Sequence, residues 1–197
     1  MNLYLTAEER QKLEATRIGI AGVGGLGSNC AAHLVRAGIQ NLVICDFDSV
    51  SESNLNRQFY FAEQVGEKKV VALETNLRRI DPDVKIEVHD TRLDETNVRT
   101  IFAGCDYVIE ALDCVEAKTA LLAALMAAGK KVVAASGMAG WGRSEAIRVK
   151  RIGANLVLVG DGESSVTKSA PPESARVGLV AAMQANSLLA WILNKEL

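Results

Sequence analysis

Residues 17–38 read RIGIAGVGGLGSNCAAHLVRAG, and the reading of this stretch decides the fold. Arg17–Gly22 is a short apolar run, as a buried strand requires. From Gly25 the apolar residues recur at helical spacing up to Gly38, a residue type that commonly ends a helix in the left-handed conformation. Between the two elements, Gly22, Gly24 and Gly27 form Gly-x-Gly-x-x-Gly, with Gly25 in addition. Glycine permits a tight strand-to-helix turn and close approach of a phosphate. The helix that follows offers free N–H groups and a positive dipole end. Alone the pattern is weak; between a strand and a helix it is a nucleotide fingerprint, against the plainer reading of a close turn with no ligand.

Outward from this unit, strands and helices alternate. NLVICD (41–46) is a second strand, and its last residue, Asp46, comes 24 residues after Gly22. A carboxylate there can accept hydrogen bonds from ribose hydroxyls, where the bland reading is a solvated strand-end acid. KKVVALETNLRRID reads as a helix ending before Pro82. VKIEVHD is an alternating strand, DETNVRTIFAG a helix, and DYVIEAL and KKVVAAS strands on either side of a helix around EAKTALLAALMAAG. Ahead of them, Thr6 with Glu9 three positions on predicts a capped helix over 6–15. Past Gly137 the rhythm changes. EAIRVKRIG and NLVLVG read as strands joined by a short turn, DGESSVTKSAPPES as a polar loop, and ARVGLVAAMQANSLLAWILNK as a long closing helix.

The expected architecture is therefore α/β. It is a Rossmann-like, doubly wound, mostly parallel sheet with antiparallel strands at the C-terminal end and a closing helix. At 197 residues, with no repeat or linker, residues 1–197 read as one domain. A net charge of −2 argues against a nucleic-acid binder driven by bulk electrostatics. The opening MNLYLTAEERQKLEATR lacks an apolar signal core, and the most apolar helix candidate, TALLAALMAAG, is about half a membrane span. Cys30, Cys45, Cys105 and Cys114 form no Cys-x-x-Cys pair, so neither a zinc ribbon nor a disulfide framework is expected. A reduced, cytoplasmic, membrane-free protein is the expectation. His33 and His89 fall on structural elements and read as surface or core residues.

The glycine loop and Asp46 serve a dinucleotide enzyme and an ATP enzyme equally. The tie is broken by DFDSVSESNLNRQ (46–58), followed eleven residues after Gln58 by Lys69 at a predicted helix start. A nicotinamide cofactor needs only its pyrophosphate held. Attack at the α-phosphorus of ATP asks for preorganised cations at the bridging and leaving oxygens. Arg57 supplies a planar fork and Lys69 a point charge with a helix terminus behind it. Asp113, just past DYVIEAL, lies at the carboxyl edge of the sheet and is a sensible Mg²⁺ ligand. Asn54 and its neighbouring amides can bond ATP while holding Arg57. Singly, each residue has a dull alternative: a surface ion pair, a solvated helix face, a helix cap for Asp113. It is their order around one nucleotide loop that points to ATP.

GVGGLGS, DFDSVSESNLNRQ, VGEKKV, RIDPDV, EALDCVEAK and RVGLVAAMQAN together resemble the ThiF/MoeB/HesA group, relatives of ubiquitin-activating enzymes. The likeness runs from about Arg17 to the C-terminus, and Asp-x-Asp-x-Val-x-x-Ser-Asn-Leu-x-Arg-Gln is its most specific element. The resemblance implies an ATP site made of Gly25, Asp46, Ser53, Asn54, Leu55, Asn56, Arg57, Lys69 and Asp113. In it Arg57 and Lys69 hold phosphates, and Asp113 coordinates magnesium. It implies adenylation of the C-terminal glycine of a ubiquitin-like sulfur carrier and a homodimer in which a partner's N-terminal arginine reaches the site. The zinc-free pattern, with AASGMAGWGRS, is most similar to compact ThiF-type proteins of thiamine thiazole synthesis. That implies a ThiS-like carrier ending in Gly-Gly.

This chain departs from the group's pattern in three places. The usual Asp-Asn pair is Asp113-Cys114, with Cys114 read as a small buried hydrophobe. The N-terminal arginine motif survives only as Arg10 and Gln11. The loop DGESSVTKSAPPES has no cysteine, so an adenylate without an enzyme-bound thioester is expected. The rivals are an NAD-dependent oxidoreductase, adenylation of another carboxylate (a molybdopterin carrier, a modified tRNA base or a peptide C-terminus), and a non-catalytic scaffold.

Overall fold

A computed structural model of the chain describes residues 4–196. α1 (Ala7–Ala15) starts at Thr6, whose hydroxyl accepts from the Glu9 N–H while Glu9 bonds back to the Thr6 N–H, the reciprocal cap predicted from the spacing. β1 (Arg17–Ala21) leads through the glycine loop into α2 (Gly25–Ala37), which closes at Gly38. Then come β2 (Asn41–Asp46), α3 (Lys69–Arg78), β3 (Lys85–Asp90), the short α4 (Val98–Ile101), β4 (Tyr107–Glu110), α5 (Val115–Ala127) and β5 (Lys131–Ala135). β6 (Arg148–Ile152), β7 (Leu156–Gly160) and α6 (Ser174–Ile192) complete the chain.

The seven strands lie in the order β3-β2-β1-β4-β5-β7-β6. All pairs are parallel except β6–β7, so the expected antiparallel finish is present. Chain order reverses between β1 and β4, which opens a crevice at their carboxyl ends, where such sheets bind ligands. β3 and β6 are the two edges, and all five residues of β6 are exposed.

Two apolar layers sandwich the sheet. One packs Leu34, Val35, Leu73, Val180 and Leu188 from α2, α3 and α6 against Ile18, Ile20 and Ile44. The other packs Phe102, Leu121 and Leu125 against Val43, Val108 and Val132. Alternate strand residues thus feed opposite faces, as a sheet covered on both sides demands.

The structure corrects two expectations. Within DETNVRTIFAG only Val98–Ile101 is helical. Asp94 Oδ1 accepts the N–H groups of Thr96 and Asn97, and Asn97 Oδ1 accepts that of Asp94; these local bonds compete with helix formation. The predicted strand EAIRVKRIG begins only at Arg148, because Ser144–Ala146 is a single 3₁₀ turn. α5, at 13 residues, is too short to span a membrane, as expected; among the described residues one helix, α6, is long and apolar enough to do so. Slightly over half of its 18-residue apolar window is buried inside the protein, against α2 and the sheet.

Candidate functional site

The glycine loop is built by close backbone approach. Gly22 has φ 88°, and a side chain there would meet the carbonyl oxygen of Ala111 at 2.9 Å. At Gly27 a Cβ would lie 1.9 Å from the Gly22 carbonyl oxygen, so α2 can start against this loop only with glycine. Gly24, which precedes the helix, is different. The nearest atom to a Cβ there is the Gln58 amide nitrogen, 3.8 Å away, so the loop is open on that side. The result is a helix N-terminus without a side-chain cap at the switch point of the sheet.

Asp46, at the end of β2, is drawn onto this loop. Its Oδ2 accepts the Val23 N–H at 2.8 Å and its Oδ1 the Asp48 N–H at 2.9 Å. Each oxygen retains accepting capacity, so the carboxylate is fixed in place without being saturated. The Tyr60 hydroxyl, buried, donates to the Val23 carbonyl at 2.7 Å. Burial pushes this phenol well above its ordinary range, aided by the charges of Asp46 and Asp48, so it stays a neutral donor.

Segment 53–58 folds back over the start of α2. The stem of Arg57 runs beside Gly25, its Cγ 3.6 Å from where a Cβ would sit. Arg57 donates to the Ser53 carbonyl and to Asn56 Oδ1, at 3.1 and 2.8 Å. Asn29 Nδ2, on α2, clasps the Arg57 carbonyl at 2.8 Å. The amide that holds the guanidinium is therefore Asn56. The Asn54 side chain accepts the Ser51 N–H and caps its own 3₁₀ turn, while its carbonyl accepts the Arg57 N–H at 3.1 Å, so Asn54 holds Arg57 through its backbone and Asn56 through its side chain. Gln58 is buried beside Gly24 with its Oε1 unpartnered among the described residues.

Lys69 is the first residue of α3, as expected, and only 6% exposed. Its Nζ pairs with Asp48 Oδ2 at 2.7 Å, and its N–H donates to the Asp48 carbonyl. A chain of contacts thus runs from Lys69 through Asp48 to Asp46 and the Val23 amide of the loop. Asp48 was not singled out from the sequence, although it lies inside the specific motif. An acid with a lysine 21 positions later gives no local signal of pairing.

Across the crevice, Ala111 donates its N–H to the Ala21 carbonyl, which sets the 111–113 turn beside Gly22. Asp113 is exposed and outside every ion pair among the described residues. It does not cap α5; Cys114 holds that position. Cys114 is also exposed, correcting the expectation of burial: its thiol reaches Glu116 at 3.1 Å, while Cys30, Cys45 and Cys105 are buried. Beneath the turn sits Glu110, fully buried, bonded to the Leu112 N–H at 2.8 Å and to Lys118 Nζ at 2.7 Å. Burial pushes the Glu110 carboxyl up; the Lys118 ammonium pulls against it.

The first turn of α6 closes the crevice from another side. Val177 Cγ1 would lie 3.0 Å from a Cβ on Gly25. Arg176 pairs with Asp161 at 2.6 Å and donates to the Gly142 and Arg143 carbonyls, tying the loops after β5 and β7 to the helix. The sequence gives no sign of the Glu110–Lys118 pair or of the enclosed Asp161–Arg176 pair.

The model of the ThiF family matches residues 1–197. The chain belongs to the ThiF family. Among its relatives, ubiquitin-like modifier-activating enzyme 5 of Gallus gallus is 33% identical over 177 residues, 84% of this chain and 42% of that protein. The molybdopterin-synthase adenylyltransferase of Escherichia coli K12 is 37% identical over 131 residues, 66% of this chain and 52% of that protein. This ThiF-family chain thus spans about half, or less, of the length of these curated relatives. In structure it is similar to the E. coli tRNA N6-threonylcarbamoyladenosine dehydratase solved with AMP. The TM-score is 0.87 at 22% identity, with 95% of this chain and 90% of that one covered, a likeness of fold.

Proposed function

We propose that this ThiF-family chain is an adenylyltransferase. It uses ATP to activate the C-terminal glycine carboxylate of a ubiquitin-like sulfur carrier as an acyl-adenylate. The observation that carries this reading is the pair of cations flanking one glycine loop: Arg57 laid beside Gly25, and buried Lys69 wired through Asp48 to Asp46. Relatives named as adenylyltransferases and as activating enzymes of ubiquitin-like proteins support the same chemistry.

In this reading the loop amides and the α2 terminus cradle phosphates, and Asp46 accepts from the ribose. The carrier carboxylate oxygen bonds to the α-phosphorus as the bond to the bridging oxygen breaks, and pyrophosphate carries the electron pair away. Arg57 and Lys69 stabilise charge on the bridging and leaving oxygens. To do so, Lys69 shares or exchanges its contact with Asp48, which its three donors permit. Magnesium fits the donors present. No group of three or more His, Cys, Asp or Glu forms a cage among the described residues, but Mg²⁺ commonly needs only one or two carboxylates besides substrate phosphates. Asp113 is the residue that would hold it; the ion would neutralise phosphate charge.

ATP–pyrophosphate exchange with candidate carriers tests the proposal. Exchange that depends on an added carrier ending in Gly-Gly is expected, and none with any carboxyl acceptor would overturn it. The acceptor we favour is a ThiS-like protein of thiamine thiazole synthesis. A molybdopterin-type carrier is the second reading, favoured by the adenylyltransferase relatives. A homodimer acting in the cytoplasm completes the proposal, checked by sedimentation.

A further inference from the structure

We propose that Glu110 and Lys118 are positioning residues. The ion pair of buried Glu110 with half-buried Lys118 holds the 111–113 turn in register with the glycine loop, so that Asp113 meets a nucleotide-bound cation at a fixed place. The inference rests on the ATP reading above and assigns a role to two residues that the sequence did not mark.

The pair joins three elements at the carboxyl edge of the sheet. Glu110 ends β4 and is 0% exposed. Its Oε1 accepts the N–H of Leu112, the residue before Asp113, at 2.8 Å. Its Oε2 accepts from Lys118 Nζ, in the first turn of α5, at 2.7 Å, and the same ammonium donates to the Ala135 carbonyl at the end of β5 at 2.6 Å. Gln184 Nε2, from α6, donates to the Glu110 carbonyl at 3.1 Å. The turn is thus held from below by side chains, and from the flank by the Ala111 N–H to Ala21 bond and the contact of Ala111 with Gly22.

Stability alone does not account for a charge pair here. A carboxylate taken fully out of water pays desolvation that attraction to a half-buried ammonium hardly repays, and well-packed apolar residues often serve the fold as well or better. What an apolar pair cannot do is fix a peptide N–H and a strand-end carbonyl to one point. Groups behind a metal ligand act in this way, by orienting the ligand without touching the ion.

The test is nucleotide binding, followed with a fluorescent ATP analogue in EDTA and across a Mg²⁺ series. The unaltered protein is compared with Lys118→Met, Glu110→Gln and Lys118→Arg. Lys118→Met and Glu110→Gln are expected to raise the Mg²⁺ concentration at half-effect by about tenfold or more, the scale found for groups behind a metal ligand. Binding in EDTA stays unchanged, and Lys118→Arg, which keeps the charge, moves the midpoint back. If a single variant fails to fold, the double variant Glu110→Gln with Lys118→Met, which buries no lone charge, is expected to fold and show the raised midpoint. Folded variants with an unshifted midpoint overturn the inference, as does an equal loss of binding in EDTA. An unaltered protein that binds no nucleotide overturns the activity reading, and this inference with it.

Discussion

Two glycines three residues apart make opposite demands. A methyl at Gly27 would run into the Gly22 carbonyl at 1.9 Å, so Gly27→Ala is expected to displace the loop, lowering the melting temperature and abolishing ATP binding together. Gly24→Ala meets nothing closer than 3.8 Å and is expected to lower the melting temperature less than Gly27→Ala while weakening ATP binding. Thermal unfolding and a binding isotherm on each variant check the contrast. Lys69→Ala is expected to lower exchange by on the order of a hundredfold or more, the scale for removing one preorganised group at a developing charge, with the fold retained. Retained exchange in Lys69→Ala would remove that residue from the proposed site.

Among the elements, α6 is pinned at its start by Arg176 and Asp161, whose side chains are 7% and 9% exposed. Enclosure alone would raise the Asp161 carboxyl. The Ser164 and Glu163 N–H groups, the Ser164 hydroxyl and the Arg176 guanidinium outweigh it, holding the carboxyl well below its ordinary 3.8. A folded value below the unfolded one adds stability above about pH 3.8, and that stability is lost as pH falls from there through the depressed value. Asp161→Asn is therefore expected to lower the urea midpoint at pH 7, and the gap from the unaltered protein should narrow below about pH 3.8. What the sequence disclosed about these elements follows from range. Thr6 and Glu9 cap within one turn, and the glycines and Lys69 sit at element junctions, so spacing reveals them. Arg176 reaches back 34 residues to Gly142 and Lys118 reaches forward 17 to Ala135, contacts that exist only once the sheet has brought its carboxyl edge together. Asn54 and Asn56 show the same limit at close quarters. Composition marked an amide-rich hook, but only geometry says which amide grips Arg57.

For the whole molecule, the layer of α2, α3 and α6 carries both the fold and the floor of the crevice. Leu188, fully buried there, is expected to cost about 2–5 kcal/mol when changed to alanine, measured by urea unfolding. The opposite margin of the sheet has another consequence. β6 presents one row of N–H and C=O groups with no strand beside it, and every side chain on it reaches solvent. Such a border is a template on which a second chain can polymerise. Three of its five residues, Arg148, Lys150 and Arg151, are cationic, so two copies approaching border to border repel one another. That repulsion opposes pairing of two such borders, and replacing the three cations with neutral residues is expected to turn the molecule toward filaments.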